Sequence, residues 1–268
     1  MNLDSTVPLR TGRAIPVLGL GTWQLTKDTA GTVECALRLG YPMVDTSVDY
    51  GTQPGIGEAI RRSGLDRDEI YVVTKVEEYD DAYKATQRNL RELGLDHVDL
   101  TLIHRPPPHG PGEELWEGLI RAREEGLTRD IGVSNYSIEL IEQLVEATGE
   151  VPAVNQVEWT PFGWSRELLD HAHERGIVVQ AYSPLTRAKR LDDDRPSEIA
   201  AEYGKTTAQL LIRWNLQLGT PPIPKANQRD HLEENLDIFN FEIRDEHMAE
   251  LGGLNESWSS LGVSLAYV

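Results

Sequence analysis

Four side chains of complementary type sit at or just beyond the ends of apolar runs: Asp45 after MV, Tyr50 shortly beyond it, Lys75 after VVT and His104 after DLTLI. Together they make a proton-transfer set. A phenol titrates near pH ~10 and is by itself a poor acid–base catalyst at neutrality. A cation beside it favours the phenolate and lowers that value, and an aspartate paired with the cation holds it in place. A neutral histidine can hydrogen-bond a carbonyl oxygen and orient it toward the phenol. None of these groups delivers a hydride, so a reduction here would require a nicotinamide cofactor. Taken singly, each is equally well a solvated polar residue at a strand end, where the chain meets water. It is the set that points to chemistry.

The elements that would position the set alternate along the chain. Short β-branched runs end at Val17 to Gly21, Met43 to Asp45, Ile70 to Thr74, Val98 to His104, Asp130 to Val133, Ala153 to Val157, Ile177 to Ala181 and Pro222 to Pro224. They recur at roughly 30 residues, the length of one βα unit. Helical patterns such as EELWEGLIRAREEG, with Leu115, Leu119 and Ala122 on one face, lie between them. Ser137 and Ser165 are placed as N-caps, and Gly126 and Gly176 as helix stops. The expected fold is α/β, a (β/α)8 TIM barrel, in one domain spanning 1–268. Residues 7–16 form an N-terminal β-hairpin cap around Thr11-Gly12, 17–251 the barrel and 252–268 a C-terminal loop. A doubly wound open sheet is the alternative, but GLGTW supplies only the first two glycines of a dinucleotide fingerprint. The long interval before the last strand holds a polar loop, TRAKRLDDDRP, and a helix around Thr207 to Leu218. In a barrel, chemistry gathers at the C-terminal ends of the strands. Beside the first four residues those ends carry Ser134-Asn135, Gln156, Tyr182-Ser183 and Lys225.

Composition excludes several classes. Against 26 basic residues stand 44 acidic ones, a formal charge of −18, and no basic stripe appears, which argues against nucleic acid. No apolar run reaches the ~18 residues of a membrane span, and MNLDSTVPLR lacks the pattern of a secretory leader. One cysteine, Cys35, among Val33, Ala36 and Leu37, reads as a core residue of a cytoplasmic protein and forms no internal disulfide. The charge favours a monomer, with no membrane and no nucleic-acid partner. Only six of the basic residues are lysine, a balance that suits a high-salt, halophilic setting in which counterions screen repulsion; an ordinary acidic cytoplasmic protein is the alternative.

The strings IPVLGLGTW, VDTSVDYG, VVTKV, DLTLIHRP, IGVSNY, VNQVEW, VQAYSPL and IPKANQRDHLEEN occur in an order that resembles the aldo-keto reductase family, from the hairpin to about Leu251. The likeness is to the prokaryotic 2,5-diketo-gluconate reductase and aldehyde reductase type. It implies an NADP(H)-dependent enzyme of the alcohol dehydrogenase type that reduces aldehydes or ketones of broad small-carbonyl range, the substrate being its only partner. By that resemblance Tyr50 is the general acid, Lys75 lowers its pKa, Asp45 supports the lysine and His104 orients the substrate. Gly21, Thr22 and Asp45 would border the cofactor. Ser134, Asn135 and Gln156 match the carboxamide positions, and Tyr182 the ring stacked on nicotinamide. Ser183 and Leu185 match pyrophosphate positions; Lys225, Ala226 and Asn227 the segment around the 2′-phosphate; Glu234 and Asn235 the adenine contacts. Trp23, Tyr50, His104 and Arg105 would face the substrate.

Two positions depart from the family. His231 stands where many NADPH-dependent members carry arginine, so NADP(H) is preferred and NAD(H) remains possible. Arg105 stands where an aromatic wall is common; it would attract anionic or polyhydroxylated substrates, or turn outward to surface carboxylates. His171 and His173 fall on different helix faces, and no metal is expected. The PPPHGPG stretch reads as a lid or a stiff loop, and Trp258 as a pocket wall in the short tail. A cofactor-sensing regulatory subunit and a barrel of another chemistry are the remaining alternatives.

Overall fold

The computed structural model describes residues 1–268 apart from Thr26, Ala266 and Val268. Strands β1 (Thr6–Pro8) and β2 (Ala14–Pro16) pair antiparallel, with Val7 opposite Ile15. Gly12 supplies the positive φ that closes their turn. The hairpin's Leu9 and Ile15 are buried against Met43, Val73, Leu100, Leu102 and Val178, so it plugs the bottom of the barrel interior as expected.

Strands β3 (Leu20–Gly21), β4 (Met43–Asp45), β5 (Tyr71–Val76), β6 (Val98–Ile103), β7 (Thr128–Ser134), β8 (Val154–Glu158) and β9 (Val178–Tyr182) follow in order, all parallel. The expected eighth strand, Pro222 to Pro224, is not a ladder strand. With proline at 221, 222 and 224, only Ile223 of that stretch can donate, to Ala181 O at 3.0 Å. Its carbonyls do the rest: Pro222 O accepts from Gly19 N and Pro224 O from Gly21 N, each at 3.1 Å. The sheet therefore closes as a barrel through an irregular segment. Gly21 is obligatory here, since a Cβ would lie 2.6 Å from Ile223 O.

Helices α1 (Thr29–Arg38), α2 (Gln53–Ser63), α3 (Ala82–Leu93), α4 (Glu113–Glu124), α5 (Ile138–Thr148) and α6 (Arg166–Arg175) coat the sheet. They are followed by α7 (Asp194–Glu202), α8 (Thr207–Leu218), α9 (Arg229–Leu236) and α10 (Asp245–Gly252). Ser137 and Ser165 accept from Leu140 N and Leu168 N as N-caps, and Gly176 ends α6 in the left-handed conformation. Gly126 lies one residue past the cap of α4. Helix α7 begins inside the stretch expected to be loop: Pro196 falls in its first turn, where the missing N–H costs nothing. Cys35 is only half-buried, at the margin of the core that Val33, Ala36 and Leu37 enter. No helix among the described residues is long and apolar enough to cross a membrane.

Beyond α10 the tail folds back on β8. The buried Glu158 carboxylate accepts from Ser259 Oγ and Ser260 N, both at 2.7 Å. The ring of Tyr267 packs 5.8 Å from that of Trp159.

Candidate active site

The strand order puts the ends of β4, β5 and β6 side by side, and the first four residues meet there. Asp45 closes β4, Lys75 lies on β5 and His104 follows β6. Tyr50 ends a 3-10 turn, Val48–Tyr50, capped by Ser47 and stopped by Gly51 at φ +65°. Thr46, Thr52 and Thr22 link their hydroxyls beneath that turn, and Thr22 donates to Asp45 O at 2.8 Å.

Lys75 is fully buried, and its ammonium donates to Asp45 Oδ1 (2.7 Å), Asp45 Oδ2 (2.8 Å) and Thr46 O (2.9 Å). All three of its protons are thereby engaged, so it acts on Tyr50 as a charge, 5.1 Å from the ring centroid. Burial draws the lysine below its usual range against the pull of Asp45. Burial, then Asp45, push the Tyr50 phenol well above 10. This reverses the direction that the residue types suggest, because burial penalises the phenolate most and the Asp45 charge adds to it. The phenol thus keeps its proton.

Tyr50 Oη lies 3.5 Å from His104 Nε2, their rings edge-on. The other nitrogen, Nδ1, is 2.9 Å from both oxygens of Glu77, a residue the sequence reading did not single out. Glu77 is held below the usual carboxylate range: desolvation raises it, and the combined pull of His104, Ser47 and Arg105 lowers it further. Asp49, Glu77 and His104 bring donor atoms within 4.8 Å of one another. Arg105 already stands 3.7 Å from Asp49 and 3.6 Å from Glu77, so these acids have a cation of their own.

A cavity of about 890 Å³ opens beside this set, and all the other cofactor and substrate residues implied by the resemblance line it. Lys75 alone stands behind the lining, reaching it through Asp45 and Tyr50. The end of β3 and the turn after it supply Gly21, Thr22 and Trp23; the ends of β7 and β8 Ser134, Asn135 and Gln156; the end of β9 and the residues just past it Tyr182, Ser183 and Leu185; and the segment after the closure, with α9, supplies a far arm of Lys225, Ala226, Asn227, His231, Glu234 and Asn235. Asn135 adopts φ +64° and donates to His104 O and Ser134 Oγ, while its Oδ1 accepts from Tyr182 Oη at 2.9 Å. Gln156 Nε2 donates to Asp45 Oδ2 and Gln180 Oε1, both at 2.7 Å, which leaves its Oε1 as an acceptor. Glu234 accepts from Thr206 Oγ1.

Two cations in the far arm lack a carboxylate partner among the described residues. Lys225 forms no ion pair, and Arg187 stacks its guanidinium 3.8 Å from the ring of Trp23 instead. Burial, then repulsion from Arg187, lower Lys225 below the usual lysine range. Asn235 is buried beside Tyr41, and its Nδ2 makes no well-formed hydrogen bond among the described residues. Arg187 was missed from sequence because it belongs to a left-handed turn of Thr186, Arg187 and Ala188, which no residue type there announces.

Other sequence readings resolve differently. Arg105 is half-exposed and lines the cavity, yet Asp49, Glu77 and Glu78 surround it at 3.6 to 3.7 Å. None of residues 106–112 lines the cavity; the stretch is a loop exposed at 108–110 and anchored before α4, where Pro111 O accepts from Tyr136 Oη at 2.8 Å. Trp258 packs on Phe162, and the tail residue at the cavity is Leu261. His171 turns its Nε2 to Glu142 on α5 at 2.7 Å.

A closed parallel barrel with a buried Lys–Asp pair and a protonated phenol at the rim of a long cleft is an enzyme scaffold for proton transfer beside a bound cofactor. Comparison with known proteins makes the class specific. The Aldo/keto reductase family pattern matches residues 17–256, so the chain belongs to that family, whose members reduce carbonyls with NAD(P)H. An aldo-keto reductase of Mycobacterium tuberculosis is 42% identical over 257 residues, spanning 94% of this chain and 91% of that one. Among solved structures, an aldo/keto reductase of Brucella melitensis superposes with TM-score 0.88 at 37% identity, over 93% of this chain and 99% of that one. A Bombyx mori aldo-keto reductase in complex with NADP superposes with TM-score 0.91 at 31% identity, over 98% and 96%.

Proposed function

We propose that this chain reduces small aldehydes and ketones to alcohols with NADPH, Tyr50 giving its proton to the carbonyl oxygen. The observation that carries the reading is that Tyr50 and His104 converge on the cavity whose far arm holds the unpaired Lys225 and Arg187. Phosphate is the anion these cations fit, and the Asn235 amide fits an adenine ring nitrogen. When bound, the reduced nicotinamide supplies the hydride. Gln156 Oε1 and Asn135 Oδ1 are the acceptors left for a carboxamide N–H. Lys75, held by Asp45, keeps a positive charge near the phenol as its proton leaves.

His231 is a weaker phosphate partner than arginine, so NADH serves as a second cofactor. Carboxylates around Arg105 turn the mouth away from anionic substrates and toward neutral carbonyls. The reading is of a cytoplasmic monomer, supported by one chain supplying the whole set and by its −18 charge.

Initial rates of NADPH and NADH oxidation with an aromatic aldehyde in molar KCl, wild type beside Tyr50→Phe, test it. General acid catalysis contributes about 10²–10⁴-fold. A loss of that order in the variant with cofactor binding intact is the expected result. Equal rates in the two proteins would remove Tyr50 from the role, and absence of cofactor binding would remove the reading.

A further inference from the structure

Residue Glu77 carries the inference, which rests on the reductase reading just given. Its carboxylate is fixed before His104 meets it. Ser47 Oγ donates to Glu77 Oε1 at 2.8 Å, and the Glu77 backbone N donates to Asp80 Oδ2 at 3.0 Å. Ser47 also caps the turn that carries Tyr50. One acid therefore sets the positions of both the phenol's turn and the imidazole.

An ionised carboxylate only accepts hydrogen bonds, so the nitrogen 2.9 Å from both Glu77 oxygens must carry the hydrogen. A neutral imidazole has a single N–H. With that proton on Nδ1, Nε2 is bare, and it is Nε2 that faces Tyr50 Oη. A neutral His104 in this state accepts a hydrogen bond at Nε2 and gives none to a substrate oxygen; only the imidazolium has a proton there to give. The residue types alone suggest the opposite, a neutral donor.

The charged surroundings of the ring are these. Tyr50 faces it from the turn after β4, with the Lys75–Asp45 pair behind the phenol. Glu77 faces it from just past β5, and Asp49 brings a carboxylate oxygen within 4.8 Å of it from the turn that carries Tyr50. Arg105, next in the chain, touches Glu77, Glu78 and Asp49 and not the ring. From β7, Asn135 donates to the His104 carbonyl at 3.1 Å.

We propose that Glu77 is a positioning residue that fixes His104 as the Nδ1–H tautomer, making Tyr50, His104 and Glu77 a proton relay. In reduction the carbonyl carbon takes a hydride and its oxygen takes the Tyr50 proton. The Nε2–H of the imidazolium re-protonates the phenolate, leaving a neutral ring with Nδ1–H on Glu77, and a proton taken up from bulk solvent restores the imidazolium. In alcohol oxidation each transfer runs backward, and bare Nε2 takes the proton that Tyr50 has collected.

The test uses the full chain labelled with ¹⁵N-histidine, in wild type, Glu77→Gln and Glu77→Leu. Ring ¹⁵N shifts on the alkaline side should show the proton on Nδ1 in wild type and in Glu77→Gln, whose amide oxygen still accepts. That preference should be lost in Glu77→Leu. The alkaline side of the pH profile of reductive kcat should move to lower pH in Glu77→Gln than in wild type, since the ionised carboxylate beside the ring favours the imidazolium. The KM for NADPH should not move. A wild-type proton on Nε2, the same tautomer in all three proteins, or superimposable pH profiles would each overturn the proposal. Failure of the wild type to reduce any carbonyl would strike the reductase reading instead, and the tautomer would still decide the role of Glu77.

Discussion

The two ends of the barrel each hold a cleft rimmed by cations, and only one of them has the makings of a ligand site. At the bottom a cleft of about 500 Å³ is lined by Arg13, His97, Arg123 and Arg129. There every arginine is answered: Arg13 by Asp130 at 3.5 Å, Arg123 by both oxygens of Glu150, and Arg129 by Asp99 at 3.2 Å and by Asp68. At the top, Lys225 and Arg187 face the larger cleft with no acid of their own among the described residues, in a chain with 44 acidic residues. A count of positive side chains does not distinguish the ends. What distinguishes them is whether folding has already satisfied the charge, because a paired guanidinium must break one contact to make another.

That contrast is broken or sharpened first by removing the unpaired cations. Charge-assisted hydrogen bonds contribute about 1.5–3 kcal/mol each, so Arg187→Met and Lys225→Met should each weaken NADPH by roughly 10- to 100-fold. Fluorescence titration of the cofactor measures this. Unchanged affinity in both variants would mean that the top cations are as idle as those at the bottom. Arg123→Met should leave cofactor affinity where it is.

The same contrast explains what could be read without a structure. The barrel was legible because eight apolar runs recur at one βα length, and the first four site residues because each sits at or just beyond the end of a run. The proline-rich closure was not, since a segment with a single N–H, that of Ile223, completes the sheet mostly through its carbonyls. Glu77 sits in VEEYD, which looks like a solvated acidic stretch. Its meaning comes from the register of β5 on β6, which sets Val76 opposite Ile103 and so brings the next residues, Glu77 and His104, together. That juxtaposition is the signal that could have found it. Arg187 needed a backbone conformation that side-chain types do not encode.

At the bottom the expected effect is smaller and lies in stability. The hydrogen bond from Arg123 holds Glu150 below the usual carboxylate range, against the desolvation that raises it. A carboxyl whose folded value is depressed contributes stability that is complete above its unfolded value, about 4.3, and is lost as pH falls through the folded one. Partly exposed pairs of this kind contribute about 0–1 kcal/mol. Arg123→Met should therefore be less stable than wild type by up to that amount at pH 7. The gap should close as urea unfolding is repeated at lower pH, below ~4. A constant gap would show that Arg123 stabilises through packing rather than charge.

Salt should move the stability of the chain and the cofactor affinity of its top cleft in opposite directions. The excess of carboxylates destabilises the folded chain through self-repulsion, and molar KCl shortens the Debye length to about 3 Å, so the melting temperature should rise. A gain of about 1 kcal/mol corresponds to roughly 2–4 °C in a domain near this size. Screening also weakens the long-range attraction of Arg187 and Lys225 for a phosphate, so NADPH affinity should fall over the same series. The fall should be shallower in Lys225→Met, which has one fewer charge to screen. A melting temperature that stays level or drops would show that the paired bottom network, not the acidic surplus, governs the response, and would remove the argument for a high-salt setting. If affinity rises with salt instead, the acids of the mouth around Arg105, and not the two unpaired cations, dominate what an approaching anion meets.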